Sequence, residues 1–351
     1  MTWLKRAVED GASDIFIGAG RSISFKKNGI IHPQEEGRIT PDEAEELITG
    51  LYEFANKPMT KYLEDGDDDF PITVPGLARF RINTYRQRST MAAIIRIVLF
   101  NIPEYKDLLI PDSVMRIAGE LNGLVLVTGP AGGGKSTTLA CIIDAINKTR
   151  NCHIITLEDP IEFLHRDNKS LVSQREISTD TDSYMIALRA CLRQAPDIIL
   201  LGEMRDHDTI RTAITAAETG HLVISTLHTV GAANTIDRIV DSFPSEQQQQ
   251  VRVQLSMVLR MVVSQRLLPN VEGKSIPAFE IMHVNNAISN IIREAKSHQI
   301  DSVIQTSAND GMIGMDAYIM KLYRNGEITK ETAIQNASNH DLVARQIGQG
   351  K

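Results

Sequence analysis

The sequence is poor in aromatic residues and has no excess of basic ones. Aromatic side chains make up 5% of the 351 residues, and the formal net charge is −7. Proteins that bind nucleic acid along an extended surface generally carry a basic footprint. The negative charge therefore argues against direct nucleic-acid binding, although a local basic patch stays compatible with it.

Long apolar runs are absent, and cysteines are few. No run approaches the roughly 18 apolar residues that a membrane-spanning helix needs. The first residues turn acidic before an apolar segment forms, which is unlike a secretion signal. The three cysteines, Cys141, Cys152 and Cys191, lack the spacing of metal ligands. We expect reduced thiols in a cytoplasmic protein rather than a disulfide framework.

The length and the apolar pattern predict an α/β protein with two domains and a helical C-terminal part. Residues 1–100 are typical of a small α/β domain, and residues 101–113, with two prolines, of a linker. Across residues 114–268, short apolar strands alternate with helices, which predicts a largely parallel sheet. Residues 269–351 are predicted to be mostly helical.

The N-terminal part carries three local signals. The pair Asn28-Gly29 predicts a hairpin between two short strands. Thr40 followed by Glu43 three residues later predicts a capping box at the start of a helix. The acidic run at residues 64–70 is interpreted as a solvated turn, because its glycine is misplaced for a calcium loop.

The strongest motif is “GPAGGGKS”, residues 129–136, which stands between an apolar strand and an amphipathic helix. It fits the pattern G-x-x-x-x-G-K-[ST] of a phosphate-binding loop. Glycines let backbone N–H groups surround phosphate oxygens, and the helix N-terminus adds partial positive charge. The Lys135 ammonium can reach the β- and γ-phosphates, and the Ser136 hydroxyl can bind Mg²⁺. The alternative is a glycine-rich turn that binds nothing.

Acidic residues follow an apolar strand at residues 154–157. Glu158 and Asp159 come directly after it, Pro160 prevents the strand from continuing, and Glu162 lies just beyond. Ligands of open parallel sheets bind at the carboxyl ends of the strands, where the phosphate loop also lies. These acids are therefore candidates for a metal site, with helix-capping or solvated acids as the alternative.

A second apolar strand, residues 198–201, ends in Gly202 and Glu203. An acid at the carboxyl end of a buried strand can orient and deprotonate the water that attacks a phosphate. Gly202 occupies the position where many nucleotide hydrolases have a metal-holding Asp. The acid that supports the metal is therefore expected from Glu158, Asp159 or Glu162.

Histidine and arginine side chains supply further candidates for contact with phosphate. His221 precedes and His228 follows a predicted strand at residues 222–227, and no third ligand stands near enough for a zinc site. His228 is interpreted as a group that reaches the γ-phosphate or the attacking water. A hydrogen-bonded structural histidine is the alternative for both. Arg79 and Arg81 share one face of a strand, as a solvated edge or as anion contacts across an interface.

Together these motifs resemble those of the PilT-like type IV pilus retraction ATPases, within the secretion ATPase superfamily. The resemblance extends over nearly the whole chain, through “ASD”, “VPGLARFRIN”, “GLVLVTGPAGGGKSTTLA”, “TLEDPIEF”, “LVSQRE”, “DIILLGEMRD”, “TAAETGHLVISTLHT”, “TIDRIVDSFP” and “AISNIIRE”. It implies an N-terminal PAS-like α/β domain and a RecA-like P-loop ATPase domain, assembled into a homohexameric ring.

The resemblance also implies a role for each matching residue. The Walker A residues that would bind ATP with Mg²⁺ are Gly129, Pro130, Ala131, Gly132, Gly133, Gly134, Lys135, Ser136 and Thr137. Glu158 and Glu162 match the acidic “Asp box”, and Glu203 matches the general base of an atypical Walker B motif. His221 and His228 match the “His box”. Arg81 and Arg96 match N-terminal arginines that approach nucleotide in such rings.

The function implied is a cytoplasmic ATPase motor at the cytoplasmic face of the inner membrane. It would power pilus retraction and twitching motility through a membrane platform protein and, indirectly, pilin, with peripheral membrane association and no direct contact with nucleic acid. Two alternatives stay open. One is an ATPase for protein or DNA export in a type IV secretion system, since Ser289 stands where the retraction pattern has Arg. The other is a nucleotide-dependent regulator with little turnover.

Overall fold

In the computed structural model, which describes residues 2–27, 29–34, 37–98 and 102–349, the chain divides into two compact units. The N-terminal unit comprises Met1–Asn101 with Glu162–Leu164, and the C-terminal unit comprises Ile102–Ile161 with His165–Lys351. Each unit contains one β-sheet with helices, as the predicted α/β class requires. Asn28 of the predicted hairpin and Asn101 of the predicted linker lie outside the described residues.

The N-terminal unit is built on a six-stranded antiparallel sheet. Its strands are β1 (Asp14–Gly18), β2 (Ser24–Lys27), β3 (Ile30–Pro33), β4 (Asp67–Val74), β5 (Ala78–Gln87) and β6 (Thr90–Val98), and its helices are α1 (Thr2–Glu9), α2 (Pro41–Phe54) and α3 (Thr60–Asp65). The strand order is β3-β2-β1-β6-β5-β4. Along β5 the side chains alternate, so that Phe80 and Ile82 are buried while Arg79 and Arg81 are partly exposed on the other face.

Two local predictions for this unit have different outcomes. The capping box is confirmed, because the Thr40 hydroxyl accepts a hydrogen bond from the Glu43 N–H and the Glu43 carboxylate accepts one from the Thr40 N–H. The solvated turn predicted at residues 64–70 is wrong for its second half, because β4 begins at Asp67. The Asp68 carboxylate is buried there and accepts hydrogen bonds from the Lys57 ammonium and the Tyr52 hydroxyl, which compensate its charge.

The C-terminal unit has a larger sheet between two layers of helices. Its strands are β7 (Gly123–Thr128), β8 (His153–Glu158), β9 (Leu171–Glu176), β10 (Ile198–Leu201), β11 (Leu222–Leu227), β12 (Leu259–Pro269) and β13 (Ser275–His283). Their order is β13-β12-β7-β11-β10-β8-β9. All neighbours are parallel except the β12–β13 pair. The α-helices are α4 (Asp112–Met115), α5 (Lys135–Thr149), α6 (Tyr184–Cys191), α7 (His207–Glu218), α8 (Ala232–Asp241), α9 (Ser245–Val258), α10 (Asn286–Arg293), α11 (Ile300–Thr306), α12 (Met315–Arg324), α13 (Lys330–Asn336) and α14 (His340–Gln349).

Most elements of this unit follow from apolar patterning. The strands predicted at residues 198–201 and 222–227 have the observed bounds of β10 and β11. The predicted apolar face of α5 is confirmed, since its side chains at Leu139, Ile142, Ile143 and Ile146 are buried. Beyond residue 268 the chain first adds β13 to the sheet edge and becomes helical only from Asn286.

Within the described ranges, no helix combines the length and the apolar character needed to cross a membrane.

The three cysteines are free thiols. Burial raises the pKa of Cys141 and of Cys191 to about 11. These two thiols therefore stay protonated and unreactive at neutral pH.

A largely buried histidine links the stability of the C-terminal unit to pH. The Nδ1 atom of His165 has no hydrogen-bond partner, and burial lowers the pKa of the ring to about 4. The ordinary pKa of histidine is about 6.5. Between these two values the unfolded chain binds a proton that the folded ring does not, so stability is complete above about pH 6.5 and falls toward pH 4.

We expect His165→Gln to weaken this acid sensitivity. The loss in free energy of unfolding between about pH 7 and pH 4 should shrink by up to ~3 kcal/mol relative to the unsubstituted chain. Urea unfolding at both pH values, followed by circular dichroism, measures this difference. The exposed His32→Gln serves as the control. If the His165 variant loses as much stability on acidification as the unsubstituted chain, the buried ring is not responsible.

Candidate functional site

The glycine loop connects the carboxyl end of β7 to the first turn of α5. Gly129, Gly132 and Gly134 adopt positive φ angles, a backbone region that glycine enters without steric cost. The Lys135 side chain is buried and folds back, so that Nζ donates hydrogen bonds to the carbonyl oxygens of Gly129 at 2.8 Å and Pro130 at 2.9 Å. The cation is thus held inside the curve of the loop. Ser136 and Thr137 follow it, half-buried, at the N-terminus of the helix.

A buried glutamine on β12 supports this loop. A Cβ atom at Gly129 would overlap the carbonyl oxygen of Gln265, and one at Gly134 would lie 2.7 Å from its amide Nε2. The same side chain accepts a hydrogen bond from the Thr138 hydroxyl at 2.7 Å. Gln265 therefore contacts the loop and the helix that follows it. Sequence reasoning missed this residue, whose visible signal was a polar side chain within an apolar strand.

Glu158 ends β8 at the same edge of the sheet. Its Oε1 atom accepts hydrogen bonds from the Thr156 hydroxyl at 2.6 Å and from the Gln174 amide at 3.1 Å. Gln174 lies on the neighbouring strand β9. These contacts hold the carboxylate at the strand end, close to Asp159 and the cis peptide bond that precedes Pro160.

Glu203 lies beyond the end of β10 and contacts two basic groups. Its side chain is 14% exposed, forms an ion pair with Arg205, and has Oε2 3.5 Å from Nε2 of His228. The Thr226 hydroxyl, near the end of β11, donates a hydrogen bond to the carbonyl oxygen of Gly202 at 2.6 Å. The backbone next to Glu203 is therefore attached to the neighbouring strand. The structure brings Glu203 and His228 together at the carboxyl ends of these strands.

Gly202 has no room for a side chain. A Cβ atom there would lie 2.7 Å from the hydroxyl oxygen of Tyr184 and 3.1 Å from the carbonyl oxygen of Leu157. Tyr184 opens α6, where Ser183 caps the helix by accepting the Ile186 N–H. The absence of an aspartate at position 202 thus has a steric reason. Sequence reasoning did not single out Tyr184, because it is more than fifteen residues from Gly202 along the chain and only the packing of α6 brings them together.

His221 lies at the amino ends of the parallel strands, opposite the end that carries the phosphate loop. It precedes β11, and its carbonyl oxygen accepts the N–H of Gly123, the first residue of β7. Its ring Nδ1 lies 3.0 Å from the carbonyl oxygen of Ala216, within hydrogen-bond reach. A strand of six residues spans roughly 20 Å, so the structure does not bring His221 to the phosphate loop or to His228.

Three further predicted residues belong to the N-terminal unit. Arg81 lies 3.6 Å from the Asp69 carboxylate, and the Arg96 guanidinium donates a hydrogen bond to Asp14 at 3.1 Å. Glu162 is exposed and groups with this unit as well. Both arginines thus lie on partly exposed strand positions with an acidic partner.

The residues of the C-terminal unit fit a polyphosphate. The curved loop, the N-terminus of α5 and the Lys135 ammonium all favour anionic oxygens. Within the part of the chain that the structure describes, no cluster of three or more His, Cys, Asp or Glu side chains is arranged to hold a metal ion. Mg²⁺ keeps several waters and is commonly bound through substrate phosphates and one or two protein oxygens.

A cavity of about 280 Å³ adjoins the loop. Its wall includes Gly134 and Thr137 of the loop and helix and Gln265 and Leu267 of β12. The apolar side chains of residues 108–110 and Pro277 form much of the rest of the cavity wall. This cavity is a suitable place for the nucleoside end of a bound nucleotide.

Comparison with known proteins gives four likenesses, each over most or nearly all of the chain. The family model described as “Type II/IV secretion system protein” matches residues 1–340. The chain is 43% identical over 332 residues to the “Type IV pilus retractation ATPase PilT” of Pseudomonas aeruginosa, covering 94% of this chain and 96% of that protein. It is 47% identical over 307 residues to a “Twitching motility protein” of Neisseria gonorrhoeae, covering 87% and 82%. The crystal structure of the pilus retraction motor PilT with bound ADP superimposes with a TM-score of 0.90, at 45% identity and 98% coverage of both chains.

The packing at Gly129 predicts a severe effect of adding one methyl group there. Gly129→Ala should destabilise the protein by at least about 2 kcal/mol and weaken nucleotide binding, because its φ is strained for alanine and the methyl overlaps Gln265. Thermal unfolding and binding of a fluorescent ATP analogue measure both effects. Gly119→Ala is the matched control, since a Cβ atom there meets nothing within 4 Å. Equal stability of the two variants would contradict the loop geometry.

Proposed function

Because the chain belongs to the family of type II/IV secretion system proteins, we propose that it is an ATPase motor that powers the retraction of a type IV pilus. One observation carries this proposal: the chain matches a pilus retraction motor with bound ADP over 98% of both chains at 45% identity. The relative from Neisseria gonorrhoeae bears the name of a twitching motility protein, which agrees with pilus retraction.

Nucleotide binding rests on the glycine loop. Backbone N–H groups of the glycine loop surround the phosphates, and Lys135 exchanges its two carbonyl partners for β- and γ-phosphate oxygens. The nucleoside occupies the cavity beside Gly134. The Ser136 hydroxyl would hold Mg²⁺, with support from the Glu158 carboxylate. Mg²⁺, when bound, neutralises charge that develops on the phosphates.

Hydrolysis relies on Glu203. Its carboxylate orients the attacking water and accepts its proton. Arg205 and His228 hold the carboxylate in place, and His228 is exposed enough to reach toward the γ-phosphate as well. Burial at a strand end keeps this geometry fixed, which positions the water for in-line attack.

The remaining predicted residues act in the assembled ring. On the resemblance to secretion ATPases, we assign Arg81 and Arg96 to nucleotide contact within a homohexamer, and Glu162, which groups with the same unit, to support of Mg²⁺. His221, hydrogen-bonded at the amino edge of the sheet, contributes to the fold rather than to the chemistry. The ring transmits motion to a platform protein at the cytoplasmic face of the inner membrane.

Two substitutions separate binding from turnover. Glu203→Gln should keep ATP affinity within about twofold and lower kcat by at least ~100-fold, because the amide cannot accept the proton of water. Lys135→Ala should lose ATP binding, because the loop loses its cation. Steady-state phosphate release and titration with a fluorescent ATP analogue measure the two effects.

The control for these variants is Glu272→Gln, an exposed acid in the β12–β13 turn. It should leave both quantities unchanged. A Glu203→Gln enzyme that turns over near the unsubstituted rate would remove the general-base assignment, and unchanged ATP affinity of Lys135→Ala would remove the phosphate-loop assignment.

The cellular role is tested in the organism that makes the protein. A strain that lacks the gene should extend pili and fail to retract them, as followed by fluorescence imaging of labelled pili. The unsubstituted gene should restore retraction, and the Glu203→Gln gene should not. Normal retraction without the gene, together with a defect in protein or DNA export, would favour an export motor instead.

A further inference from the structure

The hydroxyl of Tyr184 lies near the point where the carboxyl ends of β8 and β10 meet. Gly202 donates its N–H to the carbonyl oxygen of Leu157 at 2.8 Å, which ties the end of β10 to the end of β8. A Cβ atom at Gly202 would lie 2.7 Å from the phenol oxygen and 3.5 Å from the Cα atom of Glu158. The phenol oxygen therefore adjoins the junction that carries Glu158 on one side and Glu203 on the other.

This hydroxyl keeps its proton in an acidic environment. Burial raises the pKa of Tyr184, and the negative charges of Asp159, Glu203 and Glu158 raise it further, with Arg205 opposing them. The group is therefore a neutral donor at physiological pH. No hydrogen bond joins the Tyr184 hydroxyl to another of the residues that the structure describes. A polar hydrogen beside carboxylates without a protein acceptor is available to water or to a ligand.

We propose that Tyr184 is a positioning residue of the nucleotide site, whose hydroxyl donates a hydrogen bond to a water molecule held between Glu158 and Glu203. The phenol takes the space that a side chain at position 202 would need, and it brings a neutral donor where an aspartate would bring another negative charge. The absence of a side chain at Gly202 thus leaves the space that the Tyr184 phenol occupies. The inference rests on the proposed ATPase function and adds one residue to it.

The charges at this edge explain why a neutral donor suits it. Glu158, Asp159 and Glu203 place three carboxylates near one junction, where Arg205 and His228 contact Glu203. A further carboxylate would add like-charge repulsion at this junction. A neutral donor instead stabilises the negative charge of the acids through the shared water.

The first test is Tyr184→Phe, which removes one oxygen atom and retains the ring. We expect kcat to fall about fivefold or more while KM for ATP changes by less than about twofold. The acid limb of the pH profile of kcat should shift to higher pH, which loss of packing alone would not cause. Tyr323→Phe on α12 is the control and should change neither quantity.

The second test addresses the shared space and needs no activity. Gly202→Ala should lower the melting temperature, because its methyl meets the phenol oxygen. Tyr184→Phe combined with Gly202→Ala should recover part of that loss, since the contact to the Leu157 carbonyl at 3.1 Å remains. Equal melting temperatures of the Gly202→Ala chain with and without the phenol oxygen would show that the two residues do not compete for space, and would overturn the pairing.

The outcomes separate this inference from the proposed function. If Glu203→Gln abolishes turnover while Tyr184→Phe leaves kcat and its pH profile unchanged, the Tyr184 proposal fails and the ATPase proposal stands. If the unsubstituted protein does not hydrolyse ATP, both proposals fail, because the hydroxyl then has no water of reaction to hold. A lowered kcat with a shifted acid limb supports both.

Discussion

The parallel alignment of four buried strands is the constraint on which the C-terminal unit depends. The strands β8, β10, β11 and β7 are adjacent, parallel and almost entirely buried, so their backbone groups must pair with one another. Parallel pairing places all their carboxyl ends at one edge of the sheet. The phosphate loop, Glu158, Glu203 and His228 therefore meet there although up to about a hundred residues separate them. An antiparallel β10 would move Glu203 to the far edge.

Close packing at this edge decides which positions must be glycine. The carbonyl of Gln265 excludes a side chain at Gly129, and the Tyr184 hydroxyl excludes one at Gly202. Protein interiors are packed as densely as organic crystals, so such a contact leaves no room for even one methyl group. The same contacts pack against the backbone at the start of the glycine loop and at the residue before Glu203. Rigidity of the site and the glycine pattern of the sequence therefore have a common origin.

The N-terminal unit holds its arginines differently. Arg81 and Arg96 pair with Asp69 and Asp14, and their side chains are 39% and 71% exposed. Both side chains of the Arg81–Asp69 pair are partly exposed, so water screens the two charges and the pair contributes little to stability, whereas the Asp14 carboxylate that Arg96 contacts is buried. The Arg81 guanidinium can therefore exchange a carboxylate for a phosphate at small cost, whereas the pairs with the buried Asp14 and Asp68 are structural.

Local chemistry in the sequence determined much of this protein: the glycine loop with its strand and helix, the bounds of β10 and β11, the capping box at Thr40, and the acids at strand ends. It also indicated that His221 and His228 lie at opposite ends of one strand. Periodicity, caps and turns depend on near neighbours, which a sequence displays directly. Only the tertiary structure decided that Asp68 is buried, and that Gln265 and Tyr184 reach the glycines. Those contacts join residues far apart in the chain, and the order and packing of strands and helices bring them together.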